Sequence, residues 1–289
     1  MVFWGAAFSV TEVALRHTTP AFTAFSRGAL GFLVLLPFLS LFGARLPRTW
    51  RLWGFAAAMG FGGTTLSLAG LAEGTDRAGP AIAAVLLNTA PFWVAVIGRL
   101  ALDERVTALR TLGLAVGFAG VVVIIFTGGT SSGEDVVIGA ILTLLGAFGY
   151  ACAGLLVRYL ALTGEPFDVI GITAAQFLCG GVLLIPYLFL SGDLGASDWS
   201  SGELWWSIAC IVIGAQVLAY ITFNIALTRW AGSRVYPWTF LAPVVAIVIE
   251  AFRGNLPGAW STAGMAVVIA GIVIVNLPAA EANAPSPNA

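Results

Sequence analysis

Residues 88–125 read NTAPFWVAVIGRLALDERVTALRTLGLAVGFAGVVVII, and the stretch from Phe240 to Asn276 repeats their pattern. The Ala-Pro pair that ends at Pro91 matches the pair that ends at Pro243, and similarly spaced glycines follow in both copies. Each copy predicts an apolar helix that is interrupted near its middle by proline, then a polar turn and a second apolar helix. A duplicated pattern of this kind predicts a chain built from two structural repeats.

The composition indicates that the main solvent of this chain is lipid. Hydrophobic residues make up 59% of the 289 residues and charged residues only 9%, whereas soluble domains average about 25% charged residues. All basic residues are arginines and the formal net charge is −1, so no broad basic surface for nucleic acid is expected. The expected partners are the lipid bilayer and a small-molecule substrate, in a monomer or a homodimer.

Ten apolar runs approach the roughly 20 residues that a helix needs to cross the ~30 Å hydrocarbon core of a bilayer. Their approximate spans are residues 2–16, 21–42, 52–72, 79–101, 107–127, 136–160, 167–191, 204–227, 235–253 and 260–277. The connections are brief and rich in Gly, Pro and charged residues, for example from Gly74 to Gly79. The sequence therefore predicts an all-α integral membrane protein with ten transmembrane helices.

The arginines indicate how these helices cross the membrane, because cytoplasmic loops retain positive charge. If the N-terminus lies inside, nine of the 13 basic residues fall on inner loops and helix ends. Both termini are therefore expected in the cytoplasm. A composition with arginine but no lysine, rich in Ala and Gly, is typical of a GC-rich coding sequence, which favours a multi-pass protein of a bacterial inner membrane.

Two predicted repeats of five helices cover residues 1–128 and 129–278. Because five is odd, the second repeat enters the membrane from the opposite face, and the repeats are expected to be inverted, a plan that recurs in secondary transporters. Residues 279–289, AAEANAPSPNA, are polar and Pro-rich. This tail has nothing to bury and is expected to be a disordered cytoplasmic segment.

Several short motifs occur in a characteristic order along the chain. They are Trp4-Gly5 with Phe8, Arg27, the Ala-Pro elements at Pro91 and Pro243, and the Asp103-Glu104 turn followed by Gly113, Gly117 and Gly120. Together these features resemble the drug/metabolite transporter superfamily, EamA type. The resemblance implies a ten-helix carrier without catalytic residues or cofactors that exports amino acids, other metabolites or drugs. Glu12, where many relatives have a basic residue, and Gly254-Asn255, in place of Gly-Glu, depart from the family pattern.

Glu12 and Arg27 are ionisable residues inside predicted spans, which makes them functional candidates. Glu12 lies about six residues before the first turn and Arg27 about nine after it, so their backbones differ in depth by only a few ångströms. A salt bridge across the first hairpin is feasible. Three interpretations stay open, namely a proton site at Glu12, an Arg27 contact with a substrate carboxylate, or a static pair that fixes helix packing.

Pro91 and Pro243 are the hinge candidates. Each lacks a backbone donor and clashes with the preceding turn, which frees carbonyls inside a membrane helix. A static kink is the alternative for either proline alone. Their equivalent positions in the two repeats favour a hinge.

Polar and aromatic side chains in the remaining predicted helices are candidates for a cavity wall. They are Asn88, Tyr150, Gln216, Tyr220, Asn224, Tyr236 and Trp238. Three of them, Gln216, Tyr220 and Asn224, recur every four residues and share one face of a helix. An interhelical hydrogen bond is the alternative for any single residue of this set.

The sequence favours a secondary transporter that moves a small metabolite, an amino acid or related compound, outward by alternating access at a midplane cavity. A channel-like facilitator and a multidrug efflux carrier remain alternatives. The chain is not expected to be an enzyme, because one histidine and scattered acids supply no metal-ligand cluster or catalytic triad. That histidine, His17, falls in a short outer turn and is expected to be solvated.

Overall fold

A computed structural model of the protein describes residues 1–78, 80–104, 106–126, 134–191, 194–252 and 258–277. These ranges are helical apart from short connections and contain no β-strand. Within helices, the side chains of Glu12 and Glu250 are among those outside the described part. The predicted tail 279–289 and the Gly254-Asn255 turn lie outside the described residues.

The first half of the chain forms a series of helices. In order they are α1 (Val2–Leu15), α2 (Pro20–Leu41), α3 (Trp50–Met59), a π-helical segment (Gly60–Leu66), α4 (Ser67–Ala78), α5 (Pro80–Leu87), α6 (Ala90–Ala101) and α7 (Ala108–Phe126). The segments from Trp50 to Ala78 form one continuous helix.

The second half follows the same order. It consists of α8 (Glu134–Thr163), α9 (Val169–Leu183), α10 (Ile185–Ser191), a 3₁₀ turn (Leu194–Ala196), α11 (Gly202–Cys210), a π-helical segment (Ile211–Leu218), α12 (Ala219–Arg229), α13 (Gly232–Val235), a 3₁₀ segment (Tyr236–Phe240), α14 (Leu241–Phe252) and α15 (Ala259–Asn276).

Five helices in the described part of the chain are long and apolar enough to cross a membrane. They are Pro20–Leu41, Trp50–Ala78, Asp135–Thr163, Val169–Leu190 and Gly202–Arg229. Shorter apolar helices cover Val85–Ala101, Ala108–Val123 and Thr262–Asn276. Long apolar helices are expected here because a backbone in lipid must satisfy its own hydrogen bonds.

One predicted connection was wrong. The stretch from Gly74 to Ala78 continues a helix instead of ending it. Arg77 Nε donates to Glu73 Oε2 over 2.7 Å, one turn away, and supports this last turn. Gly74 packs against Thr143 and Gly139 of α8, so its missing side chain serves close helix packing and does not mark a turn.

Two π-helical segments occupy equivalent places in the two halves. Each interrupts a long helix about ten residues after a capped start, at Thr49 in the first half and Ser201 in the second. The sequence analysis did not predict them. A π-helix inserts one residue into the regular bonding pattern, and such insertions often occur at functional sites.

The two halves meet through pairs of equivalent helices, α2 against α9 and α7 against α15. Glycines permit this close approach, because a Cβ at Gly181 would lie 2.9 Å from Ala29 N. Gly117 and Gly271 face each other in the same way between α7 and α15. Close backbone contact is how apolar helices gain packing energy in lipid, where no hydrophobic effect favours association.

The polar contacts between helix ends fall into two groups at opposite ends of the bundle. At one end, Arg77 Nη1 lies 3.8 Å from Asp135 Oδ1, where α4 ends and α8 begins. At the other end, Arg158 near the end of α8 donates to the carbonyl of Thr228 in α12. We call these the distal end and the proximal end. The proximal end also contains Met1 and Asn276, close to both ends of the described chain.

We expect Gly181→Val to destabilise the protein strongly, because the new side chain would overlap the backbone of α2. Overpacking of this kind costs about 1–3 kcal/mol. Thermal unfolding of the purified protein in detergent measures the effect. Gly54→Val is the matched control, because nothing lies within 4 Å of a Cβ there. Equal losses in both variants would contradict the close contact between α2 and α9.

Candidate functional site

Arg27 lies buried in the middle of α2, at the seam between the two halves, with 8% of its surface exposed. Its Nε donates a hydrogen bond of 3.3 Å to Oε1 of Gln216 in the other half. No carboxylate of the described residues forms an ion pair with it. The structure does not describe the side chain of Glu12, so the predicted Glu12–Arg27 salt bridge lies outside the described part of the chain.

Two buried polar atoms where the halves meet have no hydrogen-bond partner among the described residues. They are Nε2 of Gln216 and the hydroxyl of Tyr150. The amide nitrogen and the guanidinium can only donate, and a phenol can donate as well. Buried donors without acceptors cost free energy unless a ligand or water completes them. The seam therefore has an excess of donors over acceptors.

The predicted polar face of Gln216, Tyr220 and Asn224 is buried at this seam. Tyr220 donates its hydroxyl to the carbonyl of Gly63 over 2.8 Å. Asn224 Nδ2 donates to Oγ1 of Thr173 over 2.9 Å. Gln216 lies inside the second π-helical segment, so the regular four-residue spacing does not describe its backbone. All three residues contact another helix.

Two further polar residues, whose types and positions stand out in the sequence, join this network. Gln176 Nε2 donates a 3.5 Å hydrogen bond to Thr64 Oγ1, and both side chains are buried. Gln176 lies in α9 at the place equivalent to Arg27 in α2. A signal was present, because Arg27 lies ten residues before Pro37 and Gln176 ten before Pro186.

An aromatic cluster with Trp4 at its centre covers one side of the seam. The Trp4 ring lies 6.1 Å from that of Tyr150, 5.7 Å from Tyr220 and 5.1 Å from Phe223, all nearly edge to face. Tyr236 closes the cluster at 5.0 Å from Phe223 and donates its hydroxyl to the carbonyl of Tyr150. Edge-to-face pairs of this kind stabilise beyond their buried area.

Each π-helical segment gives a backbone carbonyl to an aromatic side chain of the other half. Gly63 O in the first segment accepts from Tyr220, and Ala215 O in the second accepts from Trp4 Nε1 over 2.8 Å. Trp4 entered the sequence analysis only through the family resemblance. Its role here depends on the carbonyl that the π-helix turns towards it.

A cavity of about 460 Å³ lies beside this cluster at the proximal end. Trp4, Phe223, Trp230, Trp238, Arg234 and Asn276 are among its lining residues. Of the predicted cavity residues only Trp238 is among those that line it. Trp4 lines the cavity and also donates to Ala215 O, next to the buried Gln216.

The hinge candidates begin helices. Asn88 is buried at the break between α5 and α6, and Pro91 lies in the first turn of α6. Pro243 lies in the first turn of α14, directly after a 3₁₀ segment. The breaks occur near the predicted places, but the clash expected with a preceding α-helical turn was wrong. Proline in a first turn removes a donor that has no partner anyway.

Metal binding receives no support from the described residues, which contain no group of three His, Cys, Asp or Glu side chains able to hold an ion. The arrangement at the seam offers hydrogen-bond donors, a positive charge and aromatic surfaces. These groups can bind and orient a small polar molecule.

Comparison with known proteins identifies the architecture. The EamA-like transporter family model matches residues 1–126 and 137–277, one match for each half. A solved crystal structure superposes with a TM-score of 0.81 at 19% identity, covering 95% of this chain and 93% of that one. A likeness at this level of identity concerns the fold alone.

Two bacterial relatives are named as transporters. Uncharacterized transporter YvbV of Bacillus subtilis is 27% identical over 283 residues, which is 96% of this chain and 88% of that protein. A protein of Salmonella typhimurium named probable amino-acid metabolite efflux pump is 26% identical over 285 residues, 95% of this chain and 91% of that protein.

We expect the Asn224–Thr173 hydrogen bond to couple α12 to α9 by about 0.6–2 kcal/mol, as interhelical bonds in membranes do. A double-mutant cycle with Asn224→Leu and Thr173→Val, followed by unfolding in mixed micelles, measures this coupling. Thr222→Val is the matched control for Asn224→Leu, because the Thr222 hydroxyl bonds its own helix at Leu218 O. Additive losses for Asn224 and Thr173 would argue against the bond.

Proposed function

Because the chain belongs to the EamA-like transporter family, a family of multi-pass membrane proteins that transport small molecules, we propose that it is a secondary transporter working by alternating access between its two repeats. The relatives are named transporters and not enzymes. The proposed cargo is a small metabolite, an amino acid or a related compound, and the proposed direction is outward.

The proposed topology is ten crossings in two inverted repeats, residues 1–128 and 129–278, with both termini in the cytoplasm of a bacterium. Two observations support it. The helix ends meet in two separate groups at the distal and proximal ends. Arginines are concentrated in connections that this topology assigns to the proximal, cytoplasmic end.

The Arg27 guanidinium is the single observation that carries the choice of site. Among the described side chains Arg27 bonds the neutral Gln216 and no carboxylate, and a ligand that brings a carboxylate would offset the cost of burying the guanidinium. Gln216 Nε2 would add a donor for the same oxygens. The aromatic cluster of Trp4, Tyr150, Tyr220, Phe223 and Tyr236 would pack against the apolar part of the cargo.

The cavity at the proximal end is the proposed entrance from the cytoplasm. Trp4 lines it and also donates to Ala215 O, next to Gln216. Rotation of the Trp4 side chain would open the seam and release Ala215 O at the same time. The Salmonella relative named an amino-acid metabolite efflux pump supports the outward direction.

The enclosed seam favours a carrier over a channel-like facilitator. Gln216 is fully buried and Arg27 nearly so, whereas a channel needs a continuous polar path in one conformation. The charge of Arg27 favours an anionic or zwitterionic cargo over the cationic and apolar compounds that a multidrug carrier accepts, because an apolar compound would bring no opposite charge to the buried guanidinium.

We expect Arg27→Gln to weaken the binding of carboxylate-bearing substrates by about 10- to 100-fold, the amount that a lost charged hydrogen bond of ~1.5–3 kcal/mol produces. Counterflow in proteoliposomes, with a panel of amino acids and of their carboxamide analogues, measures this change. Arg48→Gln is the matched control, because Arg48 is exposed. Non-saturable flux would indicate a channel, and equal transport by wild type and Arg27→Gln would exclude the proposed contact.

We expect Pro91→Ala and Pro243→Ala each to slow transport several-fold while binding stays close to wild type. Alanine removes the proline ring that disfavours a helix across the break, and its high helix propensity favours a continuous helix there. Initial rates of counterflow at matched protein density, together with substrate-induced thermal stabilisation, separate the rate from the affinity. Unchanged rates in both variants would remove the hinge role of these breaks.

A further inference from the structure

An ion pair joins the two halves of the chain at the proximal end. Arg51 Nη1 lies 3.3 Å from Oε2 of Glu165. Arg51 is in the first turn of α3, two residues after the capping residue Thr49, and Glu165 is in the turn between α8 and α9. The connection that leads into α3 also packs on the start of α9, where a Cβ at Gly171 would meet the carbonyl of Arg45.

A similar contact joins the halves at the distal end. His17 Nε2 lies 3.2 Å from Oε2 of Glu203, and Nδ1 lies 3.9 Å from Oδ2 of Asp198. The backbone N–H of Asp198 donates to the carbonyl of His17 over 2.8 Å. Thr18 and Ser197 share a buried hydroxyl contact of 2.9 Å. His17 is partly exposed, with 23% of its side chain accessible, but it also contacts two acids, which the sequence analysis did not predict.

The two contacts occupy equivalent positions in the repeats. Residues 49–53 read TWRLW and residues 201–205 read SGELW. Thr49 and Ser201 cap their helices in the same way, each accepting a hydrogen bond from the backbone N–H three residues on. Arg51 and Glu203 therefore stand at the same place in a first helical turn. Each contacts the turn between the first two helices of the opposite repeat.

The charges of the two contacts are reversed. At the proximal end the helix start is basic and the turn is acidic, whereas at the distal end the helix start is acidic and the turn carries an imidazole. The contacts lie at opposite ends of the bundle, since Trp50–Ala78 contains 29 residues and Arg77 at its far end contacts the distal Asp135. A helix of this length spans roughly 40 Å.

We propose that Arg51–Glu165 and His17–Glu203 are the two gates of the carrier, one at each end, and that protonation of His17 tightens the distal gate. This inference rests on the proposed alternating access, which needs one contact to open in each state. Both contacts are formed in this structure.

The chemistry of the distal gate is what makes it respond to pH. Imidazole is the side chain that changes charge between about pH 5 and 8, whereas guanidinium stays charged. The described charged groups that face His17 are Asp198 and Glu203 from the opposite repeat, and Arg16 precedes it in the chain. A hydrogen bond from Ser200 and the nearby His17 lower the pKa of Asp198, so this acid remains charged when the imidazole gains its proton.

A labelling experiment tests the distal gate without any substrate. Ser26 is buried in α2, two to three turns from His17, so a cysteine there would react with a membrane-impermeant thiol reagent only when the distal end opens. The parent protein has Cys152, Cys179 and Cys210 replaced by alanine. Because the thiolate fraction itself depends on pH, rates are compared at each pH between Ser26→Cys and Ser26→Cys with His17→Gln.

We compare the labelling rate of Ser26→Cys with that of Ser26→Cys with His17→Gln. The ratio of the first rate to the second should fall about two- to fivefold between pH 8 and pH 5.5, the range that exposed ion pairs produce. Glu203→Gln should reduce the effect, and Arg51→Gln should leave it in place. A labelling ratio that does not change with pH overturns the proposal for His17.

The proximal gate is tested by charge reversal. Arg51→Glu and Glu165→Arg should each reduce counterflow, and the double variant should restore it to within about twofold of wild type. Thermal unfolding of all three variants shows whether a loss of counterflow reflects impaired folding alone. The proposal for this gate is overturned if the double variant fails to restore counterflow while its unfolding temperature stays close to that of the wild type.

The two experiments also distinguish failure of the proposed transport from failure of the distal gate. If the wild type shows no counterflow but the pH-dependent labelling persists, the proposed transport is wrong and the proposal for the distal gate stands.

Discussion

The guanidinium of Arg27 lies between the two halves of the chain and bonds Gln216 across the seam, and much of the surrounding structure serves to hold a charge there. A charged group in a membrane interior is expensive unless protein surrounds it. The seam provides that enclosure through the helices that carry Gln176, Gln216 and Tyr220. The same enclosure leaves Gln216 Nε2 without an acceptor, and this excess of donors is what favours a ligand with carboxylate oxygens.

Enclosing Arg27 requires helices to approach more closely than ordinary side chains allow. Glycines at Gly28 and Gly181 bring α2 and α9 into backbone contact, and Gly60, Gly62 and Gly63 do the same for the first π-helical segment. The π-helical segments turn carbonyls towards the seam, where Tyr220 and Trp4 donate to them. Close packing and irregular backbone therefore occur together. A carbonyl that the π-helix turns away from its own helix needs another hydrogen-bond donor, and only a closely packed neighbouring helix can supply one.

The two halves have similar backbone structures, but the side chains at equivalent positions differ in charge. Thr49 and Ser201 cap equivalent helices, yet the residues two positions later carry opposite charges. Arg27 and Gln176 likewise occupy equivalent places with different charge. Duplication explains why the same geometry appears at both ends of the bundle. Divergence of single side chains then allows the two ends to respond differently to charge, substrate or pH, which a symmetric carrier could not do.

The sequence by itself determined the helical, two-repeat plan, because lipid requires internally bonded helices of about 20 apolar residues and because the Ala-Pro and glycine pattern occurs twice. It also identified Arg27, Gln216, Tyr220 and Asn224, since polar residues stand out in an apolar run. It did not predict the partners of these residues, such as Thr173 for Asn224 or the carbonyl of Ala215 for Trp4, and it took Gly74 for a turn. Those roles depend on which helices meet and on where a π-helix redirects a carbonyl. They are decided by tertiary packing, because a glycine or a hydroxyl group takes on such a role only when another helix packs against it.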